Sequence, residues 1–184
     1  FTVTSFVRLG YVREAAEYLR FLRHADPTHG RKLRLMYGID GEVPPETELA
    51  HLSGWRGVGP VRIGNGAIDQ DQHDIYGEIL LALHNFLDAV DYDPPEKTND
   101  HLPETLRNLA ARVIVAQDEP DHGIWEPRAP RQHMFHTKAL LWVALDRAVR
   151  MARRIGRNDE NEIAEWERTA TEIRAEYHER GWNE

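Results

Sequence analysis

"HMFHTKALLWVALDRAVRMARRIG", His133 to Gly156, reads as one long, strongly apolar helix closed by its terminal glycine. "NEIAEWERTATEIRAEYHERG" follows it, capped by Asn158 or Asp159, as an amphipathic and outermost helix. An apolar helix, a turn and a more polar helix make one hairpin, and the same pattern recurs upstream. From Ala67 to about Val90 the helical period places Ile75, Ile79, Leu80, Leu83 and Leu87 on one stripe, and Leu102 to Ala116 predicts its partner. "FTVTSFVRLG" and "YVREAAEYLRFLRHA" predict a first pair turning at Gly10, the second helix carrying Ala15, Ala16, Leu19 and Leu22. That is six helices with no convincing strand, an all-α fold of stacked helical hairpins. Such hairpins build solenoids or closed double-layered toroids. The joints fall into two classes, short ones such as Gly10 and long Gly/Trp/Arg-rich excursions, as in a ring whose long loops gather at one rim.

At 184 residues, with 41 % hydrophobic and 29 % charged residues, the chain has the length and balance of one compact domain with a real core. Its formal charge of −8 argues against non-specific nucleic-acid binding. No apolar run approaches membrane-spanning length, so no membrane partner is expected. With no cysteine there is no disulfide framework or thiolate zinc site, which fits a reducing, cytoplasmic compartment. No cofactor is expected, because no strand precedes any glycine cluster that could cradle a phosphate.

The stretch from Pro27 to about Gly64 lacks a strong helical period, and so long an irregular segment in a compact domain is usually functional. Within it "GWRGVGPVRIGN" carries Trp55, Arg56, Arg62 and Asn65, rigid donors near an aromatic plane that suit a polyhydroxylated ligand. The plainer reading is a basic loop making salt bridges to nearby carboxylates. A second loop, "PDHGIWEPR" from Pro120 to Arg128, sets Glu126 between a tryptophan and a proline. A carboxylic acid that donates a proton near neutral pH needs a raised pKa, and packing against an indole raises it. Trp125 also offers a flat face for a sugar ring. The plainer alternative is a solvated glutamate beside a core-filling tryptophan. In "HMFHTK", His133 and His136 stand three apart, but a metal site needs a third ligand at a fixed spacing, so they read as structural histidines with no metal. Asp69 and Asp71 read as residues favouring the positive end of the following helix.

Three long blocks, "LRLMYGIDGEVPPETELAHLSGWRGVGPVRIGN", "QDQHDIYGEILLAL" and "PDHGIWEPRAPRQHMFHTKALLWVALDRAVRMA", resemble the glucoamylase/trehalase family of inverting glycosidases, glycoside hydrolase family 15, in order and separation. The opening helix pair resembles the one that follows that family's Arg-Asp sugar-binding motif, so the likeness spans nearly the whole chain. The resemblance implies that residues 1–184 are the first half of an (α/α)6 catalytic toroid, with the domain continuing beyond both ends. It implies Glu126 as the general acid, Ile124 and Trp125 against the non-reducing glucose, and Trp55 and Arg62 near the leaving sugar. The expected substrate is an α-glucoside, trehalose or a maltooligosaccharide. Pro127 stands where fungal members often carry a second glutamate. An inverting enzyme also needs a base about 6.5–9.5 Å from the acid, and the resemblance places that base after Glu184. The 184 residues alone are therefore expected not to turn over substrate. An inverting phosphorylase on a similar toroid and a non-catalytic helical scaffold remain as alternatives.

Overall fold

In the computed structural model, residues 1–26, 33–42, 45–91, 101–156 and 158–181 are described. The six helices are α1 (Thr2–Arg8), α2 (Val12–Ala25), α3 (Asp74–Ala89), α4 (Leu102–Ala116), α5 (Phe135–Ile155) and α6 (Glu160–Arg180). The fold is all-α, as expected. One minor antiparallel pair, β1 (Thr47–Glu48) with β2 (Arg62–Ile63), departs from the strandless expectation. It is two residues long on each side and exposed, too short to leave an alternating pattern in the sequence.

Helix ends follow local chemistry. α5 stops at Gly156, which takes the left-handed conformation that ends helices without a Cβ penalty. α6 starts at Asp159, whose carboxylate accepts the Asn161 and Glu162 N–H groups. Asn158 does not cap; its amide donates to the Pro103 carbonyl at 3.1 Å and ties the hairpin joint to the start of α4. α3 begins later than its period predicts. Gly66–Asp69 form a separate 3-10 turn, and the acid in the first turn of α3 is Asp74 rather than Asp69 or Asp71.

Cross-links give the helix directions. Asp74 faces His136 at 3.6 Å near the start of both helices, and Asp88 meets Arg154 at 3.0 Å near their ends, so α3 and α5 run parallel. Lys138 reaches Glu176 at 2.6 Å and Arg153 reaches Glu167 at 2.7 Å, so α6 runs back along α5. Arg107 bonds Glu162 at 2.6 Å, which sets α4 parallel to α6. The result is a row of hairpins in which α3 and α5 pack side by side while α4 and α6 lie against α5. α5 is central, burying Leu141, Ala144, Leu145, Ala148 and Ala152, whereas α6 buries one face through Ile163, Trp166, Ala170 and Ile173. Each fully buried leucine contributes about 1.5–3 kcal/mol and an exposed ion pair about 0–1 kcal/mol. The apolar seam therefore holds the stack, and the ion pairs mark its register.

Gly77 sets the closeness of α3 and α5. A Cβ there would lie 2.3 Å from the Leu140 carbonyl oxygen and 2.8 Å from its carbonyl carbon. Gly77→Ala gains about 1 kcal/mol of helix propensity but forces backbone apart, which costs more than that in a packed core. A net loss of roughly 1–3 kcal/mol is expected, read as a lower melting temperature; an unchanged or higher one would show that the two helices slide apart freely.

Candidate active site

Parallel α3 and α5, with α4 returning between them in sequence, bring the long loops to one rim. The loop after α4 starts at Asp121, which pairs with Gln132 through N–H···O bonds of 2.9 and 2.8 Å. Residues 122–131 project between these two anchors. Asp121 is only 1 % exposed, and its Oδ2 accepts the His73 N–H at 2.9 Å and the Thr137 hydroxyl at 2.8 Å. One buried carboxylate thus joins the starts of α3 and α5 to the foot of the loop. The His122 N–H adds a bond to the Asp71 carbonyl at 2.9 Å. Asp74, also buried, has its pKa raised by that burial, against the pull of His136.

The loop turns at buried Gly123, φ 64°, where a Cβ would sit 3.0 Å from the Met134 side chain. It presents Glu126 in a left-handed conformation too, φ 49°, which is uncommon for a residue with a Cβ and costs about 1–2 kcal/mol. Three contacts hold it there. The Asn65 side-chain amide donates to Glu126 Oε2 at 3.0 Å. Gln70 donates to the Pro127 carbonyl at 3.2 Å, so the proline position still accepts a hydrogen bond. Arg128 grips both oxygens of Glu46 at 3.0 and 2.9 Å. Glu46 also takes the Gly66 N–H at 3.1 Å and faces Arg62 at 3.4 Å. Arg128 first, and then the Gly66 N–H, hold the Glu46 carboxyl below the usual glutamate range.

Three of the residues singled out from sequence, Arg62, Asn65 and Glu126, therefore join one polar network. Arg62 makes the salt bridges of the plainer reading, to Glu46 and, at 3.0 Å, to Glu48. Trp55 lies in a 3-10 turn (Trp55–Gly57), 79 % exposed, with the Arg56 guanidinium 5.4 Å from its ring centre. Ile124 is 40 % and Trp125 88 % exposed. The expected shelter of Glu126 by its neighbouring indole is thus not formed: Trp125 points to solvent, and Glu126 is exposed beside it. The histidine pair does not share a helix, because α5 begins at Phe135, after His133.

Sequence reasoning missed Glu46, Arg128 and Asp121 as structural parts of the rim. A cavity of about 350 Å³ opens at the same rim, lined by Asp71, His73, Tyr76, Arg112, Glu119 and Arg131 among others, and by none of the residues singled out above as binding or catalytic. Burial of His73 there, and then the nearby Arg112, push its pKa down.

The rim thus carries an exposed carboxylate, Glu126, on a loop braced by the Asn65 amide and by the Arg128–Glu46 clamp, at the end of the helical hairpins. A model of the family described as "Glycosyl hydrolases family 15" matches residues 1–184, and the chain belongs to that family. It is 38 % identical over 189 residues to a trehalase of Mycobacterium tuberculosis and 36 % identical over 185 residues to a trehalase of Mycolicibacterium smegmatis, with 98 % of the chain covered in each case. A trehalase of Thermoplasma volcanium is 31 % identical over all of the chain. The chain spans about a quarter of the length of these relatives, 26 %, 27 % and 28 % respectively. No solved structure matches it.

Proposed function

We propose that these residues are the first half of an (α/α)6 catalytic domain and that the whole protein is an inverting α-glucoside hydrolase acting on trehalose. The trehalase relatives carry the substrate, and the observation that carries the mechanism is the clamped, left-handed Glu126 at the loop-bearing rim. Glu126 is the general acid, donating to the departing glucoside oxygen. Ile124 and Trp125 present apolar faces to the glucose whose anomeric carbon is attacked, and Trp55 and Arg62 flank the leaving sugar. The carboxylate base that activates water on the opposite face of the sugar lies outside residues 1–184. Among the described residues no helix is long and apolar enough to cross a membrane.

The test is the full-length protein with α,α-trehalose and with maltooligosaccharides, following the anomer released by NMR. Trehalose consumed with β-glucose appearing first supports the reading. Glucose from maltooligosaccharides alone makes the protein a glucoamylase, and sugar phosphate formed in phosphate buffer makes it a phosphorylase. A non-catalytic scaffold would account for the exposure of Trp125 and Glu126, and it predicts no turnover of either sugar. It gives no reason for the chain to hold a glutamate in a left-handed turn, where glycine or asparagine costs less.

A further inference from the structure

Asn65 follows β2 in an extended conformation, φ −149° and ψ 133°, and caps the 3-10 turn Gly66–Asp69. Its Oδ1 accepts the Ala67 N–H at 2.9 Å. An amide has one acceptor end and one donor end, so this cap fixes which end faces the neighbouring loop: the NH2 group, aimed at Glu126 Oε2 at 3.0 Å. The cap is braced in turn, because the Gly66 N–H next to it is held by Glu46, which Arg128 ties to the Glu126 loop.

We infer that Asn65 is the positioning residue of the proton donor, holding Glu126 so that its transferable proton sits on Oε1. The inference rests on the reading of Glu126 as general acid. An NH2 group donates and cannot accept, and the carbonyl oxygen of a carboxylic acid is a much better acceptor than its hydroxyl oxygen, so the bond to Asn65 favours the unprotonated state of Oε2. Oε2 is thereby kept as the acceptor, and the protonated acid carries its hydrogen on Oε1. Among the described residues Oε1 takes no hydrogen bond, which leaves it open to a glycosidic oxygen. In the step itself the Oε1–H bond breaks and its proton goes to that oxygen. The bond from the anomeric carbon to the same oxygen breaks with its electron pair leaving on the oxygen. Water, deprotonated by the carboxylate base, bonds to the anomeric carbon from the opposite face. The second oxygen of Glu126 stays on Asn65 throughout, so the carboxylate cannot swing between the acid and ion-pair geometries available to a free glutamate.

The test uses the full-length enzyme and trehalose. Asn65→Ser keeps a short oxygen able to cap the Ala67 N–H but is too short to reach Glu126, whereas Asn65→Ala removes both roles. Asn65→Ser is expected to lower kcat about 10- to 100-fold with KM within about threefold, as a small misplacement of a reacting group does, and to leave the melting temperature unchanged. Asn65→Ala lowers kcat as far and also melts earlier. In a Glu126→Gln background Asn65→Ser should add no further loss, because a residue acting through Glu126 has nothing left to position. An unchanged kcat in Asn65→Ser, or a full additional loss in the double variant, would overturn the inference. A Glu126→Gln enzyme that hydrolyses trehalose normally overturns the acid itself; an inactive Glu126→Gln beside a fully active Asn65→Ser overturns only the role of Asn65.

Discussion

Glu126→Gln in the full-length protein is expected to lower trehalose hydrolysis about 10²- to 10⁴-fold, the contribution of a positioned acid, while the fold survives. Glutamine is nearly isosteric, and its amide oxygen can take the place of Oε2 as acceptor for the Asn65 amide, so that side-chain hydrogen bond persists. What it cannot do is release a proton to a leaving alkoxide. Because Glu126 is exposed and lies on a loop, the substitution disturbs no core packing. The left-handed backbone is also no harder for glutamine than for glutamate. Equal melting curves with the activity gone, and binding of unreacted trehalose retained in the variant, is the expected pair of results. A loss of only a few-fold would return Glu126 to the status of a solvated loop residue and move the acid elsewhere in the protein.

The helices were legible because each carries its own period. The apolar run of α5 and its Gly156 stop, the Asp159 start of α6, and the Leu80 and Leu87 stripe of α3 are local signals, and the helices end where those signals end. The start of α3 was not legible from Ala67 onward, because a 3-10 turn and an α-helix share polar, acid-rich beginnings. The turn is decided by the Asn65 cap and by the Asp121 bond to His73, which lie outside any periodic window. The site divides the same way. Glu126 and Arg62 stand out as residue types in loops too long to be mere joints. Glu46 and Arg128 are 82 positions apart, and "PPETE" and "EPR" read alone as solvated charge; only the parallel packing of α3 and α5 turns them into a clamp. Trp125 misled for the opposite reason. An indole beside an acid in sequence reads as shelter, yet sequence neighbours on a projecting loop need not pack on each other, and here both are exposed.

Asp121 is the residue on which the fold and the proposed chemistry depend together, and its replacement is expected to have the largest effect on stability. In Asp121→Ala the His73 N–H and the Thr137 hydroxyl both lose their acceptor in a buried setting. Each such orphan costs about 1–3 kcal/mol, so a loss of roughly 2–6 kcal/mol is expected. It comes with the removal of a negative charge from the positive N-terminal end of α3. Asp121→Asn separates these contributions. Both native bonds run to the same oxygen, Oδ2, so the asparagine oxygen can serve both donors, and its NH2 group falls where Oδ1 now lies buried with no hydrogen-bond partner among the described residues. That variant exchanges one unpaired buried atom for another but turns two charge-assisted bonds into neutral ones, so it should lose about 1–3 kcal/mol and retain more activity than the alanine. Chemical denaturation of the full-length variants, with trehalose turnover measured on the same samples, reads both quantities. If Asp121→Asn destabilised the protein as much as Asp121→Ala, the negative charge rather than the pair of hydrogen bonds would be what fixes the foot of the Glu126 loop. If neither variant lost activity, the loop would be held from its tip, by the Glu46–Arg128 clamp, and not from its base.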